Sequence, residues 1–579
     1  MDSAGASRAA LNPAQRAEAL RRMGSERFDL VVVGGGVTGC GIALDAATRG
    51  LSVALVEMRD YASGTSSRSG KLIHGGLRYM EHMQFGLVRE SLAERALMLR
   101  RLAPHLVKPM RFMYLLEHRA WERAYLGAGL VLYDTLGGAG AVPRHRHLSR
   151  RGALRVAPAL RPEAMIGALT FYDTQCDDAR HTMAVARTAV AYGAQVATAA
   201  KVVGFRRRDG RVTGVDVRDL VTGKEIAVEA SHVVNAAGVW TDQLQNLVGG
   251  RGKFQVRASK GVHLVVPRDR INADAAFVVR AEREPQLFVR PWNDGRFWMF
   301  GTTDTKWDLD LDHPAVTAGD IDYLLRNVNR VIDPPLRRED VVGAFAGLRP
   351  LVAGETDETS RLSREHAVES PVPGLTAIAG GKYTTYRVMA KDAVDAAAAV
   401  LDVPAGASCT DRIPLLGADG YPALWNQRRR LAAEMGLQVE QVEHLLNRHG
   451  SLIDELFDIL RARPELAEPI DGAPDYLRVE AYYAASHEGA LHLDDVLTRR
   501  LHASIETPDR GVRAAVSVGP LVGEALGWDG PTVEAEIERY RRRVKVELAS
   551  QEQPDDSSAD AVRQRVRDPR APALADRTG

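Results

Sequence analysis

The chain has 579 residues, 45% hydrophobic and 26% charged, which is enough for two or three domains and a large buried core. With 76 Lys and Arg against 75 Asp and Glu there is no global basic excess, so nucleic acid is not an indicated partner and any anion site must be a local cluster. Three scattered cysteines (Cys40, Cys176, Cys409) without CxxC spacing argue against a disulfide framework and a zinc site, and fit a reducing compartment.

Residues 1–26 are polar and rich in Ala and Arg, which predicts a loose or helical extension, and their charges interrupt any apolar stretch of the kind an export signal needs. Phe28 to Gly34 is a continuous apolar run ending in glycine, the pattern of a buried parallel strand. Val37 to Arg49 has helical spacing, and Leu51 to Glu57 reads as a second buried strand, completing a βαβ unit. From Val202 to Ala237, alternating segments broken at Asp209-Gly210 and Thr222-Gly223 predict a β-meander. Gly261 to Thr303 alternates again and predicts an antiparallel sheet. Beyond Pro404 the periodicity turns helical, with Tyr421 to Met435, Val439 to His449 and Pro531 to Leu548 as predicted helices. The stretch from about Glu552 has almost no large apolar residues and predicts a disordered tail. No window reaches the roughly 18 uninterrupted apolar residues of a spanning helix, so a membrane would be met from its surface.

Within VVVGGGVTGCG, Gly34, Gly36 and Gly39 form GxGxxG between strand and helix. The first glycine permits the tight turn, the second lets a pyrophosphate approach the backbone, and the third lets helix and strand pack closely. Phosphates would then face the helix N-terminus. Glu57 ends the second strand and can accept hydrogen bonds from both hydroxyls of an adenosine ribose, which disfavours a 2′-phosphate. The fingerprint leaves NAD and FAD both open.

The segments IALDAATRG, GTSSRSGKLIHGGLRYMEH, VVNAAGVWTD, KGVHLVVP, GTTDT, GLRPL and GGKYTTYRVMA follow in that order, with an RHG at 448–450 and EGALHLDDVLTRR further on. Together they resemble the FAD-dependent (respiratory) glycerol-3-phosphate dehydrogenase family from about Phe28 to Leu548. The resemblance implies an α/β, Rossmann-like FAD domain of the glutathione-reductase or D-amino-acid-oxidase type, an inserted antiparallel β substrate domain and an all-helical C-terminal domain. The implied divisions are FAD-binding parts at 27–105, 178–258 and 341–403, substrate-domain parts at 106–177 and 259–340, helices at 404–550 and a tail at 551–579. It also implies FAD, sn-glycerol 3-phosphate and a membrane quinone, with the enzyme peripheral to the cytoplasmic face of the membrane; the oligomeric state is left open, a homodimer included.

Oxidation of a secondary alcohol by a flavin needs a hydride path, a proton acceptor and cations for the phosphate. The matched motifs nominate Gly34, Gly36, Gly39, Glu57, Thr65, Ser66, Ser67, Gly75, Gly76, Ala237, Gly238, Gly381, Lys382 and Thr384 for the cofactor. Arg78, Arg349 and Arg364, with Lys382 and Tyr79, are candidates for the phosphate, because the guanidinium fork can make two charge-assisted hydrogen bonds. A histidine suits the proton, and His263 is preferred over His74, which can equally hydrogen-bond the flavin or the backbone. Asp304 could orient a site group or cap a turn. Rival readings of the same site are a glycerol-3-phosphate oxidase using oxygen, an amino-acid-oxidase-like flavoenzyme and a non-catalytic flavin-binding module. The apolar, aromatic stretch Ala120 to Val142, flanked by Arg119, Arg123 and Arg144, reads either as a membrane contact or as a buried helix.

Overall fold

The computed structural model describes residues 9–76, 83–118, 121–136, 142–249, 254–282, 286–353 and 366–565. Its first sheet is parallel at the centre: Leu375–Gly380, Glu225–Asn235, Arg27–Val33, Val53–Val56 and Gln195–Ala197 lie side by side, with His366–Val372 antiparallel at one edge. Strands buried on both faces can be apolar throughout, which is why Leu30 to Val33 shows no alternation, while Arg27 and Asp29 at the start of the strand are not buried. Helices Val37–Thr48, Asp178–Ala191 and Tyr386–Ala398 cover one face and share its largest apolar cluster. The meander Ala200–Arg208, Arg211–Asp219 and Glu225–Asn235 supplies the apolar cluster on the other face. Both residues of its first turn, Asp209 and Gly210, have positive φ, as a tight hairpin turn requires.

The N-terminal extension is helical from Pro13 to Met23 and closely packed. Asn12 caps the helix by accepting the Gln15 N–H at 2.9 Å, Arg16 pairs with Asp219 at 2.5 Å, and Ala19, Leu20 and Met23 are buried against the sheet.

The second sheet has ten strands and comes from two distant stretches of chain. Val107–Leu116 and Gly167–Cys176 form one antiparallel pair; Val256–Pro267, Ala276–Val279, Leu287–Trp292, Phe297–Gly301 and Gly343–Val352 form the other group. The two groups join through a parallel seam, Ala276↔Phe112 to Val278↔Tyr114, so the sheet is mixed rather than wholly antiparallel. The sequence division assigns 341–352 to the nucleotide-binding domain, whereas Gly343–Val352 pairs along its length with Val256–Pro267 and belongs to this sheet.

The C-terminal domain contains the expected helices Tyr421–Met435 and Val439–His449, a long helix Gly530–Gln551, and a small hairpin, Pro469–Ile470 with Ala473–Leu477, that helical periodicity did not predict. It docks through buried ion pairs: Asp60, just past the second strand, meets Arg499 at 2.6 Å and Arg500 at 2.8 Å, and Arg180 meets Glu488 at 2.6 Å. Burial pushes Asp60 up, but the two guanidiniums outweigh it and hold the carboxyl below the usual range.

The tail is also corrected. Asp556–Arg563 is a helix, capped by Asp555 and packed through Ala559. It brings Asp556 to the fully buried Lys260, which also meets Asp320 at 2.6 Å. The reason composition misleads is that this helix contributes a counter-ion and a small alanine face rather than large apolar side chains. Residues 566–579 lie outside the described residues. Truncation after Glu552 is therefore expected to lower stability by about 1 to 3 kcal/mol, measured by urea unfolding, mainly because the packing of the buried Ala559 is lost, together with the Asp556 contact to Lys260. Asp556→Asn should cost much less, since burial already pushes that carboxyl up; equal losses would remove the packing role assigned to the helix.

Candidate active site

Both sheets contribute to one cavity of about 1070 Å³ that starts at Gly34 and Glu57 and ends against His263 and Arg349. At its first end the three fingerprint glycines answer to two different demands. A Cβ on Gly34, whose φ is +114°, would lie 2.7 Å from the Ala236 carbonyl oxygen, and one on Gly39 would lie 1.9 Å from the Gly34 carbonyl oxygen. Both are demanded by backbone packing. A Cβ on Gly36 would meet only Ser66 Oγ, at 3.2 Å, and otherwise points into the cavity. Ser66 accepts the Val37 N–H at the start of the helix, at 2.9 Å. Glu57 is anchored by the N–H groups of Gly35 at 2.6 Å and Arg59 at 2.7 Å; burial pushes its carboxyl up and these donors draw it back.

The far end is built on Val256–Pro267. Its pleat points Ser259, Gly261 and His263 to one face and Lys260 to the other. Register places Ser259 opposite Arg349, and His263 opposite both Phe345 and Gly301. The His263 ring stacks on Phe345 at 5.1 Å, and Nδ1 is buried without a hydrogen-bond partner among the described residues. Burial, then the charges of Arg290, Arg349 and Lys71, push His263 well below the ordinary histidine value, so the free site holds it neutral. Arg349 is held in the wall by Asp304 at 3.1 Å, Thr302 Oγ1 at 3.0 Å and the Thr303 carbonyl at 3.0 Å. His74 also lines the cavity, its backbone N–H donating to Thr384 Oγ1 at 3.2 Å, so the two glycine-rich motifs meet.

This geometry coincides with clear relationships. The model for FAD dependent oxidoreductases matches residues 29–387, and that for the C-terminal domain of alpha-glycerophosphate oxidase matches residues 408–533. Glycerol-3-phosphate dehydrogenase 2 of Mycobacterium bovis is 56% identical over 98% of this chain and 96% of its own length. The chain belongs to the FAD-dependent glycerol-3-phosphate dehydrogenase family. The human mitochondrial glycerol-3-phosphate dehydrogenase is 35% identical over 93% of this chain and 76% of its own. A glycerol-3-phosphate dehydrogenase from Bacillus halodurans, solved with FAD, superposes with a TM-score of 0.76 at 30% identity, over 93% of this chain and 97% of that one.

FAD is the cofactor, and the cavity fits it: the gap beside Gly36, the Glu57 carboxylate and the helix start are arranged as a dinucleotide requires. Of the residues nominated for it, Gly34, Gly36, Glu57, Thr65, Ser66, Gly76, Ala237, Gly238, Gly381, Lys382 and Thr384 line the cavity. Gly39, Ser67 and Gly75 do not. A Cβ on Gly75 would strike Leu92 at 2.3 Å, and Gly381 has a φ of +78°, so packing at the first and backbone conformation at the second already require these glycines. The nominated His74, His263, Arg349 and Lys382 share the cavity, while Arg78, Tyr79 and Arg364 lie outside the described residues.

Sequence reasoning missed the support behind this wall. Asp173 lines the cavity, is held by Arg95 and Tyr133, each at 2.7 Å, and Tyr133 accepts the Gly75 N–H at 2.9 Å. An acid inside the apolar strand LTFYDTQC was the available signal. Lys71, in the KLIHGG motif, pairs with Asp178 where both are buried.

The glycines should separate in mutagenesis. Gly39→Ala is expected to disrupt folding, because its Cβ cannot clear the Gly34 carbonyl, whereas Gly36→Val should fold with native circular dichroism yet retain no FAD. A yellow Gly36→Val protein would refute the cofactor placement.

Proposed function

We propose that the chain oxidises sn-glycerol 3-phosphate to dihydroxyacetone phosphate and passes the electrons to a membrane quinone, from the cytoplasmic side. The observation that carries this reading is the shared cavity, with an FAD-binding end and an end where a neutral histidine sits among cations. The names of the relatives supply the substrate.

Bound FAD supplies the acceptor for the hydride leaving C2. His263 takes the C2 hydroxyl proton, for which it must begin neutral. Its depressed basicity is set partly by Arg349, Arg290 and Lys71, and a phosphate dianion brought among these cations would offset their field and raise that basicity once substrate is bound. Arg349 holds the phosphate, while Asp304 and Thr302 fix its guanidinium. Anaerobic glycerol 3-phosphate should bleach the flavin band. His263→Ala should keep FAD and slow that bleaching by about 100- to 10,000-fold. Arg349→Ala should raise KM for glycerol 3-phosphate by about tenfold to a hundredfold, leaving unphosphorylated glycerol unaffected. Stoichiometric peroxide under air would instead mark an oxidase.

The membrane side of the reading rests on the helix Trp121–Leu136. Leu126, Leu130 and Tyr133 turn into the core. The outer face carries Trp121, Ala124, Tyr125, Ala128, Val131 and Leu132, with Trp121 62% and Tyr125 55% exposed. The helix's charges turn away: buried Glu122 pairs with Arg280, Arg123 donates to the Leu148 carbonyl, and Asp134 holds His145 at 2.7 Å. Such an inverted face suits interfacial insertion. No helix among the described residues is long and apolar enough to cross a membrane. Replacing Val131 and Leu132 with Asp should release the protein from anionic vesicles and slow quinone reduction while leaving soluble-dye reduction unchanged. Unaltered vesicle binding would move the contact elsewhere.

A further inference from the structure

Arg290 lies within Leu287–Trp292, opposite Met299, and is 2% exposed. Two register rows describe its surroundings. Phe288, Gly301 and His263 form one, while Arg290, Met299 and Val265 form the next on the same sheet face. Arg290 therefore sits one row from His263, and both line the cavity.

Its hydrogen bonding is sparse for so polar a group. Nη2 donates to the Met299 thioether at 2.9 Å, a weak acceptor, and Nη1 is buried without a partner among the described residues. The carboxylates nearby are matched to other cations: Asp178 to Lys71, Asp173 to Arg95 at 2.7 Å and Asp304 to Arg349 at 3.1 Å. Arg290, which lies 5.8 Å from the Trp292 ring and feels the Asp178 charge at a distance, thus has no carboxylate bonded to it among the described residues. Burial pushes its guanidinium down to about 9, which leaves it charged at neutral pH. An uncompensated buried charge is strongly unfavourable, and it is relieved when a ligand supplies the opposite charge. Arg290 and His263 line the cavity from adjacent register rows of one sheet face, so an anion that reaches Arg290 is one that also reaches His263.

Building on the dehydrogenase reading above, we propose that Arg290 is a substrate-oxyanion contact, its Nη1 donating to a phosphate oxygen of the bound phosphate monoester beside His263. In this arrangement Arg349, already fixed by Asp304 and Thr302, and Arg290, with no ion-paired carboxylate among the described residues, approach the phosphate from different strands. Discrimination against unphosphorylated alcohols then comes partly from Arg290, because those substrates would leave its charge buried and unanswered.

The test uses FAD-loaded Arg290→Met and Arg290→Lys proteins. Inorganic phosphate is titrated against the oxidised flavin spectrum, so the readout does not depend on turnover. The Met variant should bind phosphate at least about tenfold more weakly, the Lys variant should recover part of that loss, and KM for glycerol 3-phosphate should rise in parallel while that for glycerol does not. Without ligand, Arg290→Met should melt no lower than the parent, since removing an uncompensated buried charge relieves the fold, and phosphate should protect it less. Unchanged phosphate affinity, or a lowered melting point with normal affinity, would overturn the assignment and show a packing role. A parent protein that binds phosphate through Arg290 yet is not reduced by glycerol 3-phosphate would overturn the dehydrogenase reading and leave the anion site standing.

Discussion

The pairing of Val256–Pro267 with Gly343–Val352 is the constraint on which the reactive end depends. Ten consecutive residues are in antiparallel register, and a slip by one would turn every side chain to the opposite face. Register brings Ser259 to Arg349 and His263 to Phe345; the pleat then turns Lys260 away, toward Asp320 and the tail helix. Gly261 and Gly301 keep the face open. A Cβ on Gly261 would strike Arg349 at 2.5 Å, and one on Gly301 would strike the His263 ring at 2.5 Å. The cavity-lining face of His263 and the anchoring of the C-terminal tail are thus consequences of one strand alternating between two faces.

Around that strand the protein manages charge by pairing it. Lys71 with Asp178, Arg95 with Asp173 and Arg349 with Asp304 form a matched shell, and the C-terminal domain extends it through Asp60, Arg180, Glu488, Arg499 and Arg500. Buried pairs add little net stability over apolar packing, but losing either partner is costly, so they specify how the domains dock. Asp178 and its neighbour Asp177 link the two regions. Asp178 holds Lys71 beneath the cavity, and Asp177 caps the same helix while meeting His502 of the C-terminal domain at 2.7 Å. The helical domain, remote from the fingerprint in sequence, is thereby joined to the wall that carries His263.

Much of this was legible in the sequence where local backbone requirements are strict. GxGxxG between apolar runs announced its own turn because Gly34 and Gly39 answer to backbone atoms a few residues away or on the adjoining strand, and the meander showed itself through Asp209-Gly210. The family motifs nominated His74, His263, Arg349 and Lys382 in order, and these residues share one cavity. Less legible was anything resting on what a helix or strand packs against. The tail looked disordered because its docking depends on Asp556 and Ala559, not on a large apolar face. Trp121–Leu136 could not be divided into core and outer faces until Leu130 was seen buried and Leu132 exposed.

By itself, then, the sequence determined the dinucleotide-binding unit and the family, and it nominated residues that prove to line one cavity, since each depends on short-range geometry or on residue types within a motif. Only the tertiary structure decided the seam between the two halves of the second sheet, the transfer of Gly343–Val352 to that sheet, and the burial of Arg290 with no carboxylate bonded to it among the described residues. Arginine is among the commonest residues of a charged surface and carries no mark of burial in its own letter. Whether it is a solvated side chain or an unmatched cation at a substrate depends on where every neighbouring carboxylate is already engaged, and that is settled by contacts between segments far apart in the chain.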